Sequence, residues 1–275
     1  MHPNPKQRVL VNVILDKSGS MASKLKDVIE GFNAYLEGLA EEDKVEYLFS
    51  LTLFDTQVAY RHVAIPLAKV RKLDAKSYLP GGNTALNDAI GITVRKIDAD
   101  RPRVDKVVTV IMTDGEENSS REWTHDAVKA LISQKESEGT WTFVFLGASP
   151  EAWDQGRGYG IPAANVAQYD VNHYRATFAC MARGTNVLAA SAAPRATNLF
   201  ASVENHTGEG GPPSGIRKKL RIGSASVPAA GVVGVTPATL KFVPHQDGGR
   251  KTALLLHPRP QYQLLRRRHH ARANE

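Results

Sequence analysis

Five residues with oxygen-bearing side chains fall in three short segments: Asp16, Ser18 and Ser20 in "LDKSGSM", Thr84 in "GGNTAL", and Asp114 in "MTDGEEN". All five are hard donors, and none offers sulfur or imidazole. A set of oxygens alone suits Mg²⁺, Mn²⁺ or Ca²⁺ rather than zinc or copper. Mg²⁺ takes six oxygens at about 2.0–2.1 Å and keeps several of its waters. Ser18 and Ser20 are two apart, so in an extended loop both hydroxyls point to one side. Small hydroxyls let the chain wrap an ion closely. Gly19, and Gly81 with Gly82, permit backbone angles that other residues resist. A second reading treats Asp16, Ser18 and Ser20 as a helix-start device whose side chains satisfy free amides. It leaves Thr84 and Asp114 unexplained.

The surrounding elements place these residues. Residues 8–15, "RVLVNVIL", read as a buried strand of a parallel sheet that ends at Asp16. Ser23 is expected to cap the following helix, whose apolar face is Leu25, Val28, Ile29, Phe32, Leu36 and Leu39. Residues 45–55 and 57–63 read as an antiparallel hairpin. Residues 78–97 read as a glycine turn and a helix, and residues 106–118 as a buried strand ending at Asp114. Residues 124–139 read as a helix stopped by Gly139. A strand over 141–149, a short last strand over 160–171 and a last helix over 173–190 complete the body. The expectation is a doubly wound α/β fold, with a mostly parallel central sheet, helices on both faces and one antiparallel edge strand. Asp16 and Asp114 then both lie at strand C-termini, where such sheets bind ligands.

"DKSGSM" matches the Asp-x-Ser-x-Ser motif of von Willebrand factor type A (VWA) domains. "GGNTAL" resembles their threonine loop and "MTDGEEN" their final aspartate loop, in the same order along the chain. The resemblance covers roughly residues 6–172, within an expected domain of residues 6–200. It implies a Rossmann-like VWA fold with a metal-ion-dependent adhesion site (MIDAS), as in intracellular bacterial or phage members. By that resemblance Ser18, Ser20 and Thr84 coordinate Mg²⁺, with Mn²⁺ or Ca²⁺ as substitutes, directly or through water. Asp16 and Asp114 hold its waters. Neutral hydroxyls in the inner shell leave the ion electrophilic, with a position open to an acidic side chain of a partner protein. Lys17, Asn83 and Glu116, neighbours in the same loops, are expected to meet that partner. The implied function is divalent-metal-dependent protein binding without catalysis.

The bulk numbers set limits. The 275 residues hold 35 Lys+Arg and 28 Asp+Glu. Of these, 12 and 3 lie from residue 205 onward, so residues 1–204 carry 23 against 25, a net charge of −2. The basic character belongs to residues 201–275, a Gly- and Pro-containing stretch without sustained periodicity, expected to be disordered. "RKKLR" (217–221) and "RRRHH" (266–270) support an alternative, a nucleic-acid-associated scaffold acting through this tail alone. A metal-dependent phosphotransferase or hydrolase at the same strand ends is a further alternative. Haloacid-dehalogenase-type enzymes, however, place a second Asp two residues after the first, where this chain has Ser18. One cysteine, Cys180, precludes an internal disulfide and reads as a buried small hydrophobe. The apolar run after the N-terminus is too short for a secretory leader and no stretch spans a membrane, so the expected location is cytoplasmic. Trp123, Trp141 and Trp153 read as packing residues, with Trp123 also placed to line a partner surface. Glu116 and Glu117 read as solvated.

Overall fold

The computed structural model describes residues 6–147, 150–168, 174–200 and 221–222. The central strand β1 (Gln7–Asp16) has eight consecutive buried residues. It lies between two parallel neighbours, β2 (Val45–Phe54) and β4 (Lys106–Thr113). Such a strand is apolar on both faces because helices cover both. Val9, Val11, Val13 and Leu15 face a layer built from α1 (Leu25–Ala40) and α5 (Tyr174–Ala190). Leu10 and Ile14 face the opposite layer, built from α2 (Leu86–Asp100) and α3 (His125–Ser137). Burying each such side chain contributes about 1.5–3 kcal/mol. Helix α5 packs its side chains onto glycines of α1: a Cβ on Gly31 would meet the Phe178 ring at 2.4 Å.

The strand order is β3 (Val58–Pro66), β2, β1, β4, β5 (Trp141–Gly147), β6 (Val166–Gln168), β7 (Arg221–Ile222). β5 and β6 extend the parallel sheet, while β3 is antiparallel at one edge. This is the doubly wound α/β arrangement that the alternating apolar strands and helices predict. Four details differ from the sequence expectation. Ser23 does not cap α1, because a 3-10 turn over Gly19–Lys24 intervenes and Lys24 takes the N-cap position without a side-chain cap bond. A helix, α4 (Pro150–Gly158), fills the segment between β5 and β6. The last parallel strand is cut to three residues by a 3-10 turn over Ala163–Asn165. A two-residue strand, β7 (Arg221–Ile222), pairs antiparallel with β6, within the stretch expected to lack structure. The rest of residues 201–275, and with it the expectation of disorder, lies outside the described residues, as does the side chain of Trp153.

Trp141 is fully buried, stacked on Phe143, with the cations of Arg101 and Lys135 over its ring. Trp123 packs on α2, where a Cβ on Gly91 would meet its ring at 2.0 Å, and Arg95 lies over its face. Cys180 is buried in the α1/α5 layer. Among the described residues, no helix is long and apolar enough to cross a membrane.

Lys106 at the start of β4 fastens the last helix. It is 2% exposed, and its ammonium donates to the carbonyls of Leu188 (2.6 Å), Ser191 (2.7 Å) and Ala189 (3.4 Å) at the end of α5. Burial pulls its pKa below the usual lysine range, with Asp105 opposing. The helix C-terminus carries free carbonyls and partial negative charge, both of which a cation satisfies. Lys106→Met keeps the stem volume and leaves these carbonyls without their donor. Urea unfolding should show a loss of about 1–3 kcal/mol; an unchanged midpoint would contradict this role.

Candidate metal centre

The C-terminal ends of β1 and β4 meet where the strand order reverses, with β2 and β3 leading away on one side and β5 and β6 on the other. Open α/β sheets leave a ligand crevice at such a switch point. Leu15 pairs with Met112, which carries Asp16 beside Thr113. The Thr113 hydroxyl donates to Asp16 Oδ2 at 2.5 Å, and the Ser18 amide donates to Asp16 Oδ1 at 2.6 Å. The Tyr78 hydroxyl donates to the Asp16 carbonyl at 2.5 Å. Asp16 is fully buried. Burial pushes its carboxyl pKa up to about 6; the bonds from Thr113 and Ser18 oppose this, and the Asp114 charge adds to it. A carboxylate in such surroundings is stabilised by a nearby cation.

The Ser18 and Ser20 hydroxyl oxygens are 3.1 Å apart, and Ser20 Oγ donates to Asp114 Oδ1 at 2.6 Å. The other Asp114 oxygen accepts from the Lys24 ammonium, and the Asp114 side chain is 1% exposed. Thr84 is buried just before α2. A Cβ built on Gly115 would lie 3.1 Å from Thr84 Oγ1 and 3.6 Å from Ser20 Oγ, so this glycine keeps a space open between the two hydroxyls. The structure thus brings Asp16, Ser18, Ser20, Thr84 and Asp114 into one cluster. Ser18 takes the N-cap position of the 3-10 turn but makes no side-chain cap bond. Helix starting therefore does not account for its hydroxyl.

The donor set and the open space fit a small, hard divalent ion. Ser18, Ser20 and Thr84 offer neutral oxygens, and Asp16 and Asp114 supply charge. Among the described residues, no group of three or more His, Cys, Asp or Glu could hold a metal. A cation here would rest on hydroxyls as well as carboxylates.

Backbone bonds lock the three loops to one another. The Gly19 amide donates to the Gly82 carbonyl at 3.0 Å, and the Gly81 amide to the Lys17 carbonyl at 2.8 Å. Gly82 has φ +74°, and a Cβ there would meet Thr56 Oγ1 at 2.9 Å. Thr84 and Asn118 bond reciprocally: the Thr84 amide donates to Asn118 Oδ1 and the Asn118 amide to the Thr84 carbonyl, both at 3.0 Å. Glu117 is not a solvated side chain. Its carboxylate accepts from the amides of Asn87 (2.7 Å), Ser119 (2.9 Å) and Ser120 (2.7 Å) and from the Ser120 hydroxyl (2.6 Å). Asp88 does the same for the amides of Arg121, Glu122 and Trp123. Of the residues expected to meet a partner, Asn83 and Glu116 are exposed, whereas Lys17 is half-buried with its ammonium paired to Asp55.

Sequence reasoning missed Lys24, Tyr78, Thr113, Gly115 and the role of Glu117. Thr113 and Gly115 flank Asp114 and were within reach of a register argument. Tyr78 acts through a partner 62 residues away, and Glu117 ties its own loop to Asn87, 30 residues away, which local patterns do not show.

No family model matches the chain, and no curated protein matches it. Solved structures do. A von Willebrand factor type A protein from Catenulispora acidiphila shares 17% identity over 64% of this chain and 42% of its own, with a TM-score of 0.45. Proximal thread matrix protein 1 from the mussel byssus, with a zinc-occupied MIDAS motif, shares 15% over 52% of this chain and 36% of its own, at 0.38. The PilB minor pilin from Streptococcus sanguinis shares 12% over 66% and 62%, at 0.48. The chain spans about a third to two fifths of the length of the mussel and Catenulispora proteins. At these values the likeness assigns no residue a role.

Glu117→Ala removes one acceptor contact at the entry to α2 and three within the 117–120 loop. It should lower the unfolding free energy by about 1–3 kcal/mol, measured by urea titration. A change within error would show that Glu117 is dispensable to these loops.

Proposed function

We propose that this chain is a divalent-metal-dependent protein-interaction module of the VWA type, without catalytic activity of its own. The observation that carries this reading is the shared cluster of three hydroxyls and two carboxylates at the C-terminal ends of β1 and β4. The "DKSGSM", "GGNTAL" and "MTDGEEN" motifs supply the same five residues. Ser18, Ser20 and Thr84 would be the inner oxygens, with Asp16 and Asp114 holding waters around them. When bound, Mg²⁺ supplies an electrophilic position that can take a carboxylate of a partner protein. Asp16 is fixed by Thr113, Ser18 and Tyr78, so its orientation is set before any ligand arrives. Ser20 is exposed, which leaves the cluster open toward solvent on its side. Asn83 and Glu116 are exposed on the loops that carry the cluster, where a partner would touch them.

Calorimetry and thermal melting with Mg²⁺ and Mn²⁺ test this. The wild type should bind saturably and gain about 2.7 kcal/mol at 100 times the dissociation constant. Ser18→Ala and Asp114→Ala should keep the fold and lose that gain. Equal metal affinity in all three proteins, or none in the wild type, would overturn the reading. Partner binding is tested by capture on the immobilised domain that needs Mg²⁺, is released by EDTA and is lost in Ser18→Ala.

Lys24 gives a second, opposite prediction. Its ammonium neutralises Asp114 and so competes with any added cation. Lys24→Met should tighten Mn²⁺ binding on the order of tenfold. Weaker binding in this variant would mean that Lys24 supports the site instead.

A further inference from the structure

A separate pocket of about 200 Å³ is lined by Leu51 of β2, Arg61 and His62 of β3, and Arg71, Lys72, Leu73 and Ser77 of the segment before α2. Three of these side chains are permanent cations and a fourth is imidazole, while no lining residue is acidic. This is unusual in a body whose net charge is −2. Lys72 is neutralised by Glu37 at 2.7 Å. Arg61 and Arg71 are exposed and form no ion pair among the described residues. His62 is held below the usual histidine range, first by burial and then by repulsion from Arg71 and Arg61, with no opposing acid among the causes.

The nearest acid in the segment is committed elsewhere. Asp74 Oδ1 accepts from the Ser77 hydroxyl (2.7 Å), the Ser77 amide (2.8 Å) and the Lys76 amide (3.0 Å), closing the 74–77 turn. The segment is also fastened to α1. Asn33 donates to the Leu73 carbonyl at 3.0 Å and accepts from the Leu73 amide at 2.9 Å. Leu51 and Leu73 are buried at 1% and 6% exposure and give the pocket an apolar floor. Cations held together on a fixed backbone repel one another, and an anion between them removes that cost. Guanidinium forks match the oxygens of a phosphoryl group and can bind it through paired hydrogen bonds.

We propose that this pocket binds a phosphoryl group, with Arg61 and Arg71 as its principal ligands and His62 beside them. Its lining residues include none of Asp16, Ser18, Ser20, Thr84 and Asp114. The group could be free phosphate or a phosphate monoester on a small molecule, and the probes below separate the two.

Calorimetry with inorganic phosphate and with phosphoserine, at ionic strength held constant with NaCl, tests the proposal. The comparison is between wild type and the double variant Arg61→Ala, Arg71→Ala, both residues being exposed. Circular dichroism melting checks that the variant keeps its fold. The wild type should bind at least one probe saturably, and the variant should bind it at least about tenfold more weakly. Equal affinity for both probes would identify phosphate itself as the ligand; tighter binding of phosphoserine would identify a monoester. No saturable binding to the wild type, or equal binding to the folded variant, would overturn the proposal.

Discussion

The parallel register of β1 against β4 is the constraint on which the site depends. With Leu15 opposite Met112, Asp16 falls beside Thr113 and is held by its hydroxyl, while Asp114 begins the neighbouring loop. A shift of one residue would turn the strand's alternate side chains to the other face. Val9, Val11, Val13 and Leu15 would then leave the α1/α5 layer for the α2/α3 layer. The packing of both faces therefore fixes the distance between two carboxylates at the top of the sheet. The energy that holds the site comes largely from apolar burial far from it.

Around that register, polar groups are arranged so that each loop is anchored by another. Tyr78 reaches the Asp16 carbonyl, Asn118 clasps Thr84, and Glu117 collects amides from the entry to α2 and from its own loop. The Ser20 and Thr84 hydroxyls both lie beside Gly115, whose missing side chain leaves room between them, and the Ser18 hydroxyl is 3.1 Å from that of Ser20. Asp16 carries the electrostatic consequence: buried, near Asp114, and raised toward neutrality. Lys24 meets part of that demand at Asp114. In the proposed reading, a divalent ion would meet the rest.

Much of this was legible in the chain. The runs "RVLVNVIL" and "KVVTVIMT" are dense in Val, Ile and Leu on both alternations, broken inside only by Asn12 and Thr109, as a strand buried on both faces requires. The hydroxyl pair at Ser18 and Ser20 stood out because two small polar residues interrupt the passage from strand to helix. The rest escaped for physical reasons. Ser23 looked like a cap because the sequence does not distinguish a 3-10 turn from a helix start, and that turn brings Lys24 to Asp114. Glu117 looked solvated because the loop that folds back on its carboxylate has no periodicity, and its one distant donor, Asn87, lies 30 residues away. β7 depends wholly on pairing with β6, and two residues carry no periodicity. The pocket of Arg61 and Arg71 arises from two segments ten residues apart that only the folded sheet edge brings together.

The most direct test of the central claim is the position of the ion. Crystals grown with Mn²⁺ and measured at the manganese absorption edge would locate it by anomalous scattering. The account predicts one peak between the side-chain oxygens of Ser18, Ser20 and Thr84, with Asp16 and Asp114 just outside. Ordered side chains at all five positions with no peak among them, and manganese bound elsewhere or not at all, would contradict it.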